Sequence, residues 1–198
     1  MLRNLPLAVA LALMLAAGCR SGPKIAIEQG EVFQKMPPGK TAVLEVTARL
    51  AVEVRGHKYV WGAAQPPSAE VMFAELLASF AQTDGGLDVI PPHEVKSRLQ
   101  AAGLQPTLEP SKEQMDQFAR ALGCSTYLSA QIERWGLHYF LWTEKARAEF
   151  VVRCYVPGES EPLWTVRVQH EAKLKSCREV AIEALQEAFR QLARKGNP

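Results

Sequence analysis

The chain predicts an α/β fold: a mixed β-sheet with packed helices in the order β-α-β-α-α-β-β-β-α. Three observations carry this. Thr41 to Val54, TAVLEVTARLAVEV, alternates apolar and polar residues with period two, the mark of a strand with one buried face. Segments with helical spacing then alternate with short apolar runs, which predicts parallel crossovers. The last third reads as three alternating strands and a closing helix, which predicts a meander.

Along the first strand, Ala42, Leu44, Val46, Ala48, Leu50, Val52 and Val54 are expected on one face, as one long strand or two joined by a bend. GHKYVWGAAQPP reads as loop, with a short strand at Lys58 to Trp61. Ser68 caps a helix running to about Thr83, whose stripe is Val71, Phe73, Ala74, Leu77, Ala78 and Ala81. Leu87 to Ile90 is a short strand stopped by Pro91 and Pro92. HEVKSRLQAAG is a helix ended by Gly103. Ser111 and Gln114 have capping-box spacing and open a helix that stops at Gly123. In the meander, Cys124, Thr126, Leu128, Ala130 and Ile132 share a face, as do Ala146, Ala148, Phe150, Val152 and Cys154. Trp164, Val166, Val168 and His170 alternate in the third strand, and a helix from about Ser176 to Arg194 closes the chain. Strands buried on both faces read as continuous apolar runs. These alternate, which leaves one sheet face open, thinly covered or kept for a partner.

The N-terminus carries an address. Arg3 precedes an apolar run, Leu5 to Ala17, of about 13 residues, short of the roughly 20 a spanning helix needs. That is the core of a signal peptide. Leu15-Ala16-Ala17-Gly18-Cys19 resembles the lipobox of bacterial lipoproteins, with Ala16 where a bulky residue is usual. The resemblance implies cleavage before Cys19 and acylation of its thiol; an ordinary secretory signal is the other reading. Position 20 is Arg rather than the Asp of an inner-membrane retention signal, which favours the outer membrane facing the periplasm. The expected organisation is a lipoprotein signal peptide over 1–18, a lipidated cysteine and tether over 19–40, and a single α/β domain over 41–198.

Losing the signal removes Arg3 from a formal charge of +2, so the mature chain is near neutral. No basic stripe points to nucleic acid. Cys124, Cys154 and Cys177 lack the C-x-x-C spacing of zinc or thioredoxin sites. In a hairpin centred near residue 139, Cys124 faces Cys154. A cross-strand disulfide and two buried thiols stand as equal readings in an oxidising compartment. Cys177, near a helix N-terminus, is either activated or a packing residue, the second being favoured.

VIPPHEVKSRLQAAGL, a capped helix ending in LGC, STYLSAQIERWGLHYFLW and a strand ending in PLW follow one another in this chain. Over about residues 70–170 this order resembles a family of small Gram-negative envelope lipoproteins that includes a neisserial surface-antigen candidate. Gly103-Leu104, Leu122-Gly123, Trp135-Gly136 and Leu163-Trp164 carry the likeness. It implies a fold like that of the TolB N-terminal domain and of CsgG, and a docking or assembly role without catalysis.

Catalytic and metal motifs are missing: His93-Glu94 starts like a zinc helix, but Ser97 stands where the second His belongs. His57, His138 and His170 have no ligand spacing, so no metal and no cofactor are expected. The residue-rich feature is RWGLHYFLWTEK, which places Trp135, His138, Tyr139, Phe140 and Trp142 around the predicted turn. Either these side chains fold back over the core of longer strands, or they form an exposed aromatic patch suited to a protein interface or a membrane surface. The expected partners are the membrane, through the N-terminal lipid, an envelope protein, and a second copy of the chain. An auxiliary lipoprotein of an envelope transporter, handling a lipid or hydrophobic ligand, is the alternative.

Overall fold

Alternating apolar residues build strands whose two faces meet different cores. The computed structural model describes residues 22–29, 37–48, 69–105, 111–140, 143–159 and 161–196; at 29, 138–140, 143–144 and 195–196 it describes the backbone alone. Strands are β1 (Lys24–Gln29), β2 (Lys40–Ala48), β3 (Asp88–Ile90), β4 (Thr126–Phe140), β5 (Thr143–Tyr155) and β6 (Trp164–Lys173). Helices are α1 (Ala69–Thr83), α2 (Pro92–Ala101), α3 (Lys112–Leu122) and α4 (Cys177–Gly196). One six-stranded sheet runs β1-β6-β5-β4-β2-β3. β2 is parallel to both β3 and β4, and every other pairing is antiparallel. The expected mixed sheet with packed helices is what forms.

The order gains one strand. Lys24–Gln29, expected to be part of the tether, pairs antiparallel with β6, and Ile25 and Ile27 pack against the main core. Two isoleucines two apart are the period-two signal. Gly and Pro on either side make it easy to miss. Cys19, Ser68, the extension to Val54 and the Lys58–Trp61 segment lie outside the described residues.

The main core lies between the sheet and α1 and α4. Leu128, Ala130 and Ile132 of β4, Phe150 and Val152 of β5, and Trp164, Val166 and Val168 of β6 meet Phe73 and Leu77 of α1 and Val180, Leu185 and Phe189 of α4. A second, smaller core lies on the opposite sheet face. There Ala42, Leu44, Ile90 and Tyr127 meet Val95 and Leu99 of α2 and Met115 and Phe118 of α3.

β2 serves both cores through an irregularity. Its register with β4 shifts between Val43 and Glu45. Before the shift Val43 faces the main core and Ala42 and Leu44 the second; after it Val46 and Ala48 turn to the main core. One extra residue changes which parity points inward. The single continuous face expected from Ala42 to Ala48 is therefore split.

Helix ends follow the sequence signals. Ser111 Oγ accepts from Gln114 N at 3.3 Å and Ser111 N donates to Gln114 Oε1 at 2.9 Å, the reciprocal capping box. Gly123 ends α3 in the left-handed region at φ 64°, which a glycine adopts without strain. A second capping box went unread in the sequence: Ser176 N donates to Glu179 Oε2 at 2.7 Å and Glu179 N to Ser176 Oγ at 3.2 Å.

Candidate interaction surfaces

The β4–β5 hairpin is longer than expected, and this reassigns its residues. Leu128 pairs with Cys154, and the ladder continues to Phe140 opposite Thr143. An irregularity between Ile132 and Arg134 shifts the register by one. Cys124 precedes β4 and belongs to the second core, whereas Cys154 lies in the main core on the other face of the sheet. The cross-strand disulfide is thus corrected: both are free, buried thiols. Burial pushes the Cys124 thiol up to about 11 and that of Cys154 higher still, so both stay protonated and unreactive. Cys177 packs half-buried against the main core as the first residue of α4, in line with the packing reading.

Trp135 is not an exposed patch residue. It is partly buried against the main core, with its ring edge-on to Phe73 at 6.3 Å and 87°. Phe73 in turn meets Phe150 at 4.7 Å. For Trp135 the fold-back reading holds, because the strands extend past it. His138, Tyr139 and Phe140 occupy the last rungs of β4, opposite Lys145, Glu144 and Thr143. Trp142 lies outside the described residues.

The other face of the sheet is the larger feature. α2 and α3 cover it only where Tyr127 and Tyr155 begin and end the hairpin. Over the rest of β4, β5, β6 and β1 no described helix packs on it, yet the face is not bare: Val151, Ser129 and Glu149 are 0, 3 and 5 % exposed. Charged side chains tile this face. Glu149 is only 5 % exposed, and Arg147 Nε donates to it at 2.7 Å while Arg134 Nε sits at 3.4 Å. Arg167 Nη1 donates to Glu133 at 2.8 Å, and Lys145 pairs with Glu171. The partly exposed pairs, Arg167 with Glu133 and Lys145 with Glu171, add little stability and fix instead where charge is presented.

One row across this face is unsatisfied. Glu45, Ser129, Arg153, Thr165 and Glu28 stand side by side on consecutive strands of the sheet. Glu45 Oε2, Ser129 Oγ and Arg153 Nη1 are buried and make no hydrogen bond. Desolvation holds the Glu45 carboxyl above its ordinary value. Buried polar atoms are normally paired, so a row of orphans marks a place where further polar contacts are wanted. No sequence motif announces it, since the three residues with orphan atoms lie on three different strands and meet only through the register.

Two grooves complete the surface. One, of about 1040 Å³, lies beside the end of β6 and α4. In it His170, 6 % exposed, places Nε2 3.1 Å from Glu183, which also binds Lys175; these two partners hold the Glu183 carboxyl below its usual range, Lys175 first. The other, of about 700 Å³, lies between the β2 irregularity, α1 and α2, lined by Leu44, Val46, Val71, Ala74 and Leu99. His93 uses its carbonyl to accept from Ser97 Oγ, and Glu94 pairs with Arg98, so that turn is occupied by helix-internal contacts. Among the described residues no three His, Cys, Asp or Glu converge as metal ligands, and no helix is long and apolar enough to cross a membrane.

No protein-family model matches the chain, and no curated protein matches it. Solved structures share its fold. PelC from Paraburkholderia phytofirmans, solved as a dodecamer, superimposes with a TM-score of 0.57 at 12% identity, over 85% of this chain and 96% of that one. The lipoprotein GNA1162 from Neisseria meningitidis gives a TM-score of 0.53 at 14% identity, over 79% of this chain and 99% of that one. The resemblance to small envelope lipoproteins, expected from the order of motifs, is supported at the level of the fold.

Proposed function

We propose that the protein is a lipid-anchored, non-enzymatic interaction module of the bacterial envelope, held by acylated Cys19 to the outer membrane and facing the periplasm. The observation that carries this reading is the charged sheet face, on which no described helix packs beyond the β2 end, with three buried polar atoms that lack partners. A surface whose polar groups are desolvated but unpaired gains when a partner supplies the missing bonds. The fold shared with a neisserial lipoprotein, and with PelC solved as a dodecamer, supports an envelope setting and makes a second copy of this chain one natural occupant.

Photo-crosslinking in the native envelope tests this. A photoreactive phenylalanine at Gln169, exposed on the open face, captures a discrete protein, whereas one at Gln100, exposed on α2, does not. Equal capture, or none, at the two sites contradicts the reading.

The apolar groove beside β2 favours one alternative, an auxiliary lipoprotein handling a lipid or hydrophobic ligand. Saturable binding of a fluorescent fatty acid, lost in Ala74→Trp, would support it.

A further inference from the structure

We propose that the corner between β6 and α4 seats on the bilayer itself, with the Leu174 side chain entering the lipid interface. This rests on the lipid-anchor reading of Cys19 and adds the orientation of the domain.

Leu174 is 92 % exposed and is the one described non-glycine residue with a positive φ, at 57°. That backbone region crowds a Cβ, and glycine or asparagine usually takes it. A single exposed leucine is ordinary. A leucine held out at nearly full exposure on strained backbone, between Lys173 and Lys175, is not. An apolar side chain flanked by cations is the chemistry that meets a bilayer surface, where the chain dips below the headgroups and ammonium groups meet phosphates.

The topology places this corner beside the anchor. β1 runs antiparallel to β6 with Lys24 opposite Gln169, so Pro23 and Gly22 lead on toward the His170 and Glu171 end of β6. Gly22 and Pro23 line the same groove as Lys173 and Lys175. Cys19 lies three residues before Gly22, a reach of at most about 11 Å. Acyl chains on Cys19 would therefore enter the membrane within about that distance of the point where the chain meets the groove.

The same end of the sheet carries a second exposed apolar side chain. Leu137, 45 % exposed, pairs with Ala146, which pairs with Ala172, two residues before Leu174. Beyond the rung of Lys145 and Lys173, the β4–β5 backbone continues to Phe140 opposite Thr143. Among the described side chains, Glu171 pairs with Lys145, Glu183 with Lys175 and His170, and Glu187 accepts from Gln191. With this corner on the membrane the strands stand on end, and the charged sheet face looks sideways along the leaflet, toward a neighbour anchored in the same membrane.

The test uses the full acylated chain in vesicles of phosphatidylethanolamine and phosphatidylglycerol, isolated by flotation. In a Cys177→Ser background, a nitroxide is attached at Lys173→Cys or, as the distal control, at Glu159→Cys in the β5–β6 turn. Collision rates are read with oxygen, which concentrates in lipid, and with a water-soluble nickel complex. The expected oxygen-to-nickel ratio is several-fold higher at 173 than at 159, and Leu174→Gly, which suits the backbone, returns it to the water value while flotation persists. A floating protein whose label at 173 matches that at 159 overturns the proposal alone. Loss of collisions with both agents at 173 marks a protein contact and also overturns it. A chain that never floats fails at the anchor and takes the proposal with it.

Discussion

Glu45 sits beside Ser129 in the sheet, and its carboxyl is penalised for ionising by the water it has lost. Its folded pKa is raised, so its favourable contribution is complete below the unfolded value and fades as pH rises through the folded one. Glu45→Gln is thus expected to raise the melting temperature at pH 7 and to lose that advantage near pH 4, measured by thermal unfolding across the range. Leu174→Gly removes left-handed strain worth about 1 kcal/mol and should stabilise the domain in urea unfolding by roughly that amount. Phe73→Ala opens a cavity beneath Trp135 and Phe150 and should cost about 3–5 kcal/mol in the same assay. At this scale the sequence was readable for core identity: Phe73, Leu77, Ala78 and Ala81 were placed inward from spacing, and they are buried. The orphan row was not readable, because Glu45, Ser129 and Arg153 are far apart in the chain and no local pattern joins them.

Secondary-structure elements follow their local signals where the signal is chemical and depart from them where it is parity. Both capping boxes obey side-chain chemistry, and Ser111→Ala should cost about 1 kcal/mol of stability by urea denaturation. α2, α3 and β3 form where Pro, Gly and apolar spacing put them. Parity is more fragile. One extra residue in β2 and one in β4 turn alternate side chains to the other face, and alternation alone does not reveal a bulge. The hairpin shows the consequence. Its ladder pairs Leu128, not Cys124, with Cys154, and the supposed disulfide partners end on opposite faces. Alkylation of the native chain should leave both thiols unmodified, with both accessible after denaturation, in non-reducing mass spectrometry. A mass two hydrogens short would contradict this.

Among the described residues, the sheet carries the larger core on one side and a smaller one on the other. Strand alternation foretold the asymmetry: Thr165, Arg167 and Gln169 point away from the main core, just as their polarity requires. The sequence could not say that α2 and α3 would cover only the β2 end, since helix placement depends on crossovers that periodicity does not encode. β1 adds an edge strand close to the proposed anchor, tying the domain to its N-terminal segment. In the proposed arrangement, attachment at Cys19 turns the charged sheet face toward partners beside the leaflet. Growth of the expressing bacterium with radiolabelled palmitate tests that arrangement at its root. The account predicts label in the mature chain, its absence in Cys19→Ala, and retention of the wild-type protein in the membrane pellet after washing. An unlabelled wild-type chain that washes off in plain buffer would contradict it.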